Sequence, residues 1–418
     1  MKRSLLWSSA LCVVALACVL ALDHIGDDPV VATVGVGRLP WRVVVDEQHG
    51  RAFVVNRGDG SVSVLDSGTG ALLRTVAVGT DPVAAAVDER TARVFVANGG
   101  DATVSILDAR SGVALRTVVV GTSPQWLTVD RQSGHVFVPN RSDNTVSVLD
   151  ARNGAVLRTV TVCLFPFAAA VDERTARVFV RCNSGWVVTL DARTGAVLRA
   201  TRTGAAPWGQ IAVDERTARV FVTNPHDKTV SVLDARSGAV VRTVHIGIDA
   251  YRPIMDERAG RVIVVGPANG RGGASVLDAD SGVVLRTVVL GYTPWPAAVS
   301  IRSGSVLIAA AGTTDSMGDA MGNGTVSMLD AHGDGGGRAV PVGVFPVDIG
   351  VDGRTGRVFV VNYNARWSDG GPVAHSARDG WWVAPQRWLA GHFPLIPPPR
   401  RPRPSTTGSV TILDISRL

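Results

Sequence analysis

The decapeptide Val87-Asp-Glu-Arg-Thr-Ala-Arg-Val-Phe-Val96 recurs unchanged at 171–180 and again at 213–222. Its aspartate sets a register: Asp46, Asp88, Asp130, Asp172, Asp214 and Asp256 follow one another at steps of 42 residues. The spacing then stretches to Ser300 and Asp352. A second anchor, Leu-Asp, places Asp66, Asp108, Asp150, Asp191, Asp234, Asp278, Asp330 and Asp414. Both anchors count eight units, and a fixed period of this length marks an architecture of stacked repeats.

Each unit holds four short β-rich runs, in the second unit 84–87, 93–97, 103–107 and 113–120. Between them stand Asp-Glu-Arg-Thr, Asn-Gly-Gly-Asp and Asp-Ala-Arg-Ser-Gly, all turn chemistry. Four strands in about forty residues make the blade of a β-propeller, a radial stack that leaves only short edges. The run 30–36, ending in Gly37-Arg38-Leu39-Pro40, matches the fourth strand of a unit, and the last unit ends at 409–415 without one. Lending the first run to the last unit closes the ring. The fold class is therefore all-β: one propeller over 30–418, of eight blades, or of seven if one divergent unit is not a true blade.

The signature Phe221-Val-Thr-Asn224, with Phe95-Val-Ala-Asn98, Phe359-Val-Val-Asn362 and Leu233-Asp234 followed by Gly238, resembles the repeat of the YVTN-family β-propeller proteins. The resemblance covers about 30–418 and implies the fold. It implies little about function, because that family is defined by its repeat and includes surface and secreted proteins of undefined activity. The family is similar in turn to the haem-carrying propellers of cytochrome-type nitrite reductases, which makes a cofactor worth testing.

Before the repeats, Lys2 and Arg3 precede an apolar run from Leu5 to Leu22. That is the layout of a secretory signal peptide, or of an uncleaved membrane anchor, over 1–22. The expected location is the periplasm, the extracellular space or the cell surface. The chain carries 42 Lys plus Arg against 36 Asp plus Glu. Only Lys2 and Lys228 are lysines, and the arginines recur with the repeat instead of gathering on one face, which argues against a nucleic-acid partner.

The repeated aspartates read as turn formers, not as a catalytic pair, since every blade needs them. The histidines are scattered along the chain without paired ligand spacing, so no metal site is expected. No Cys-x-x-Cys-His attachment sequence occurs, and no cofactor is expected. Cys163 stands where other units end their fourth strand in glycine, and Cys182 where the next unit ends its second strand in asparagine. These two form either a disulfide or a pair of free buried thiols.

Loops joining units and loops after second strands share one face of such a ring. Trp41, Trp126, Trp208, Tyr251, Trp295 and Phe345 lie in or just after the joining loops, with Phe165 and Phe167 beside them. They are either wedges between blades or an aromatic rim for a ligand. Two insertions, 312–324 and about 363–408, fall on the same face. The second contains Trp367, Trp381, Trp382 and Trp388, then the Pro/Arg tract 396–404, and reads as a lid or docking element. The function expected is noncatalytic binding of a protein, peptide or glycan on this face. The alternative is a hydrolase, lyase or cofactor-dependent oxidoreductase at the channel mouth, where Asp81, Asp249, Arg252 and Asp348 are the candidate groups.

Overall fold

A computed structural model describes residues 28–204, 209–268, 271–290, 294–299, 306–311, 323–329, 339–364 and 407–418. The apolar segment at 5–22 lies outside them, as do most of the two insertions. The described strands form eight four-stranded antiparallel sheets arranged as an eight-bladed propeller. Blade 1 runs outward from the axis as Pro40–Asp46, Arg51–Asn56, Ser61–Asp66 and Leu72–Ala77. Blades 2 to 7 repeat this order.

Blade 8 is built from both ends of the ring. Pro346–Asp352, Arg357–Asn362 and Thr407–Asp414 are completed by Val30–Arg38, with Thr33 opposite Thr411 and Val34 opposite Val410. Across the seam to blade 1, the Ser67 hydroxyl donates to Asp352 Oδ2 at 2.6 Å. The Val43 amide donates to Asp348 Oδ2 at 3.1 Å.

The sequence dictates which strands are interior. Second and third strands such as Arg93–Asn98 and Thr103–Asp108 are nearly continuous runs of Val, Phe, Ile and Leu. They are buried on both faces because a blade is sandwiched between two others. Phe53, Phe95, Phe137, Phe179, Phe221 and Phe359 occupy one equivalent position and are fully buried, each closing onto the next blade. Fourth strands form the outer edge and leave Leu73, Leu115 and Leu157 about half exposed.

The repeated polar residues are tied into local bonds, while the Oδ1 atoms of the signature asparagines Asn56, Asn98, Asn140, Asn224 and Asn362 are buried without a hydrogen-bond partner among the described residues. Asp108 Oδ1 accepts the Ser111 amide at 2.8 Å, and Asp150 Oδ1 accepts the Arg152 and Asn153 amides at 2.8 and 3.0 Å. The signature asparagines are fully buried: Asn98 Nδ2 donates to Thr103 Oγ1 and Ser105 Oγ, both at 2.9 Å. Asn56, Asn140 and Asn224 repeat the arrangement. A Cβ on Gly79 would lie 2.6 Å from Asn98 Cγ, so glycine is required where one blade's fourth strand passes over the next blade's asparagine. The same closeness ties Gly37 to Asn56, Gly121 to Asn140, Gly204 to Asn224 and Gly343 to Asn362.

At the junction of blades 3 and 4, the glycine is Cys163 and the asparagine is Cys182. There the two residues are joined by a disulfide with a Cα separation of 6.0 Å. The close approach that excludes a side chain elsewhere is filled here by a covalent bond. Trp186 and Val188 also replace the threonine and serine that bond the asparagine in other blades.

Candidate functional site at the channel mouth

The joining loops are fixed before any side chain is considered. Leu39, Asp81, Ser123, Phe165 and Phe345 precede Pro40, Pro82, Pro124, Pro166 and Pro346, and all five adopt left-handed φ values between 47° and 57°. Such residues cost of order 1–2 kcal/mol each and need support. It comes from the turn after the second strand of the following blade. Gly99 and Gly100 donate to Asp81 and Thr80 carbonyls at 2.9 and 3.0 Å, and Arg141 donates to the Ser123 carbonyl at 3.0 Å. The Thr80 and Thr122 amides donate to Asp101 and Asp143, the aspartates three residues beyond the signature asparagines.

From each loop the chain enters a first strand, and the residue four positions before the turn aspartate faces the mouth of the channel. In blades 2 and 4 it is Ala84 and Ala168. In blades 1, 3, 6 and 8 the same position holds Arg42, Trp126, Arg252 and Asp348. These four meet across the ring. Arg42 Nη1 donates to Asp348 Oδ1 at 3.0 Å, and Arg252 Nη1 reaches the same oxygen at 2.9 Å, across blade 7. On its other side Arg42 spans blade 2, placing its guanidinium carbon 3.4 Å from the centroid of the Trp126 ring. Trp126 stacks on Phe167 of blade 4, centroids 5.9 Å apart, and the Trp126 amide donates to the Phe167 carbonyl. Burial lowers the Arg42 pKa to about 10, against the pull of Asp348, so it stays cationic at neutral pH.

A second cluster sits at the seam of blades 8 and 1. Arg57 grips Asp81 with both Nε and Nη2, at 2.7 and 2.9 Å, and lies 5.4 Å from the Trp41 ring centroid. Below it Tyr363 is buried against Phe345, and burial pushes its hydroxyl pKa up to about 12.

The sequence-derived aromatics are thus distributed unequally. Phe345 is buried between blades 8 and 1, and half-buried Trp41 packs against the same cluster. Trp126 is half-buried and joined to Arg42. Tyr251 is half-buried at the entrance to blade 6, where burial, with a contribution from Asp249, raises its pKa. Phe165 is 48 % exposed, with Arg141 5.6 Å from its centroid. Trp208, Trp367, Trp381, Trp382 and Trp388 lie outside the described residues, as does the side chain of Trp295. Of the four titratable candidates, Arg252 and Asp348 are brought together, Asp81 is held by Arg57, and Asp249 lies 3.7 Å from Lys228 Nζ. Arg42 and Arg57 escape a reading by residue type. Aligning the units on their turn aspartates exposes Arg42, because it stands where blades 2 and 4 carry Ala84 and Ala168.

No family model and no curated relative matches the sequence. Among solved structures, the chain is similar to BamB from Moraxella catarrhalis, at 14% identity and TM-score 0.58 over 80% of this chain and 97% of that one. It is similar to the Kuenenia stuttgartiensis hydrazine synthase, at 16% identity and TM-score 0.52, over 80% and 96%. It is also similar to the dihydro-heme d1 dehydrogenase NirN in complex with DHE, at 15% identity and TM-score 0.61, over 79% and 73%. At these identities the likeness is one of fold, and it places the chain among the β-propellers.

Proposed function

We propose that this chain is an exported repeat propeller of the YVTN type that acts as a noncatalytic recognition scaffold. It engages a protein, peptide or glycan on the face carrying the joining loops and both insertions. One observation carries this reading: in a ring whose units otherwise copy one another, one channel-facing position varies from blade to blade, and Arg42, Trp126, Arg252 and Asp348 at that position form a continuous chain of contacts. The repeated aspartates and asparagines serve turns and blade packing. Function on a repeat scaffold is expected in such departures, because sites are grafted onto folds. Both oxygens of Asp348 are engaged, by two guanidinium groups and a backbone amide, an arrangement suited to holding geometry more than to accepting a proton.

The test is binding to glycan and peptide arrays by the mature chain and its variants. Trp41→Ala and Phe165→Ala, on the loop face, are expected to abolish or sharply weaken any signal. Arg90→Ala, exposed on the opposite face, is expected to leave it unchanged. Signal lost equally in all three, or in none, would remove the loop face as the recognition surface.

A further inference from the structure

Resting on the recognition reading, we propose that the Arg42–Asp348–Arg252 layer is an oxyanion-binding site, taking a carboxylate or phosphate group of the ligand. Two guanidinium groups converge on a single carboxylate oxygen, Asp348 Oδ1, at 3.0 and 2.9 Å. One negative charge therefore faces two positive ones, and the layer carries a net charge of +1. The side chains are 12 %, 3 % and 27 % exposed for Arg42, Asp348 and Arg252, so water screens the surplus only from the mouth. A surplus charge held in such a place is costly unless a counter-charge joins it. Among the described residues, Asp81 and Asp249 do not provide one: Asp81 is gripped by Arg57, and Asp249 faces Lys228.

The donors for such a counter-ion are in place. Each guanidinium has five N–H groups and, among the described residues, spends one of them on Asp348. Sharing one acceptor holds the two forks beside each other and fixes their orientation, which lowers the ordering cost of binding. The planar fork matches a carboxylate or phosphate with paired hydrogen bonds. A purely structural strut between blades 6, 8 and 1, with Arg42 also stacked on Trp126, explains these contacts, but it leaves the layer's surplus charge without an anionic partner among the described residues.

The test is calorimetric titration of the full mature chain at low ionic strength with inorganic phosphate and, separately, with acetate and galacturonate. Saturable one-to-one binding of phosphate or of the carboxylates is expected, and the preferred arm identifies the source of the oxyanion. Arg252→Gln should weaken binding by about tenfold or more, the loss of one charge-assisted contact, while Arg252→Lys retains part of it. Asp348→Asn raises the surplus charge and should tighten binding. Far-UV circular dichroism verifies folding, and if Asp348→Asn does not fold, the two Arg252 variants decide. Absence of saturable binding in every arm, or binding unchanged in Arg252→Gln, overturns the site. Array recognition that persists without anion binding would overturn this inference alone. Anion binding with silent arrays would keep the site and remove the macromolecular ligand.

Discussion

The guanidinium carbon of Arg42, in blade 1, lies 3.4 Å from the ring centroid of Trp126, in blade 3. The two residues are two full repeats apart in the chain, and blade 2 contributes only Ala84 at that level. The contact is therefore a tie across the channel mouth. Because Arg42 also bonds Asp348 and Trp126 also stacks on Phe167, blades 1, 3, 4, 6 and 8 are linked in one continuous network.

That tie has a measurable coupling. Urea unfolding of Arg42→Met, Trp126→Leu and the double variant forms a double-mutant cycle. A coupling of about 1–2 kcal/mol is expected for a cation–π contact partly removed from water. Additive effects would show that the two groups are neighbours without an interaction.

How much of this was legible follows from what is local and what is not. The turn aspartates, the buried Val-Phe-Val runs and the closing strand at 30–36 are each specified within a few residues and repeated, so the eight blades and their seam followed from the sequence. Arg252 and Asp348 were singled out as loop charges, but their meeting across blade 7 depends on ring geometry and the register of two first strands. Trp41 and Phe345 look alike in the sequence as loop aromatics. Position decides between them: Phe345 precedes its proline and turns inward onto Tyr363, while Trp41 follows its proline and lies near Arg57.

Closure by the N-terminal strand predicts a specific order of loss. A chain lacking residues 28–38 leaves Thr407–Asp414 as an unpaired outer edge, and residues from blades 8 and 1 lose the cover of Ala32 and Val34. Hydrogen exchange should then show the amides of Thr407–Asp414 deprotected first, ahead of those in blades 3 and 4. Uniform deprotection around the ring would indicate that closure is not local to this seam.

The acidic turn on the opposite face predicts a pH effect. The Glu173 amide donates to Glu215 Oε1 at 3.1 Å, and Arg131 donates in the same way to Glu173 at 3.0 Å, stitching neighbouring blades. Burial, with Glu173, Asp172 and Glu257 nearby, raises the Glu215 pKa above the ordinary carboxylate value. A raised folded-state pKa favours the protonated form. Its contribution is therefore greatest below the unfolded pKa and lost as pH rises through the folded one. Glu215→Gln keeps the acceptor and removes the charge. It should match or exceed the parent at pH 7, by no more than about 2 °C in Tm, with the difference vanishing in acid. A loss at pH 7 would show the carboxylate to be stabilising.

The disulfide junction offers the sharpest test of why the repeat looks as it does. Removing the bridge as Cys163→Ala with Cys182→Ala frees a loop of 19 residues and should cost about 3 kcal/mol by loop entropy. Restoring the repeat's own residues, Cys163→Gly with Cys182→Asn, should cost more. The new amide would be buried opposite Trp186 and near Val188, without the hydroxyls that accept from Asn98 Nδ2, and an unpaired buried polar group costs about 1–3 kcal/mol. Adding Trp186→Thr and Val188→Ser supplies those hydroxyls and should recover that second loss in chemical denaturation. If the four-residue variant is no more stable than the glycine–asparagine pair alone, the asparagine's hydroxyl partners are not what holds the other junctions. The close glycine–asparagine approach itself would then be the stabilising element.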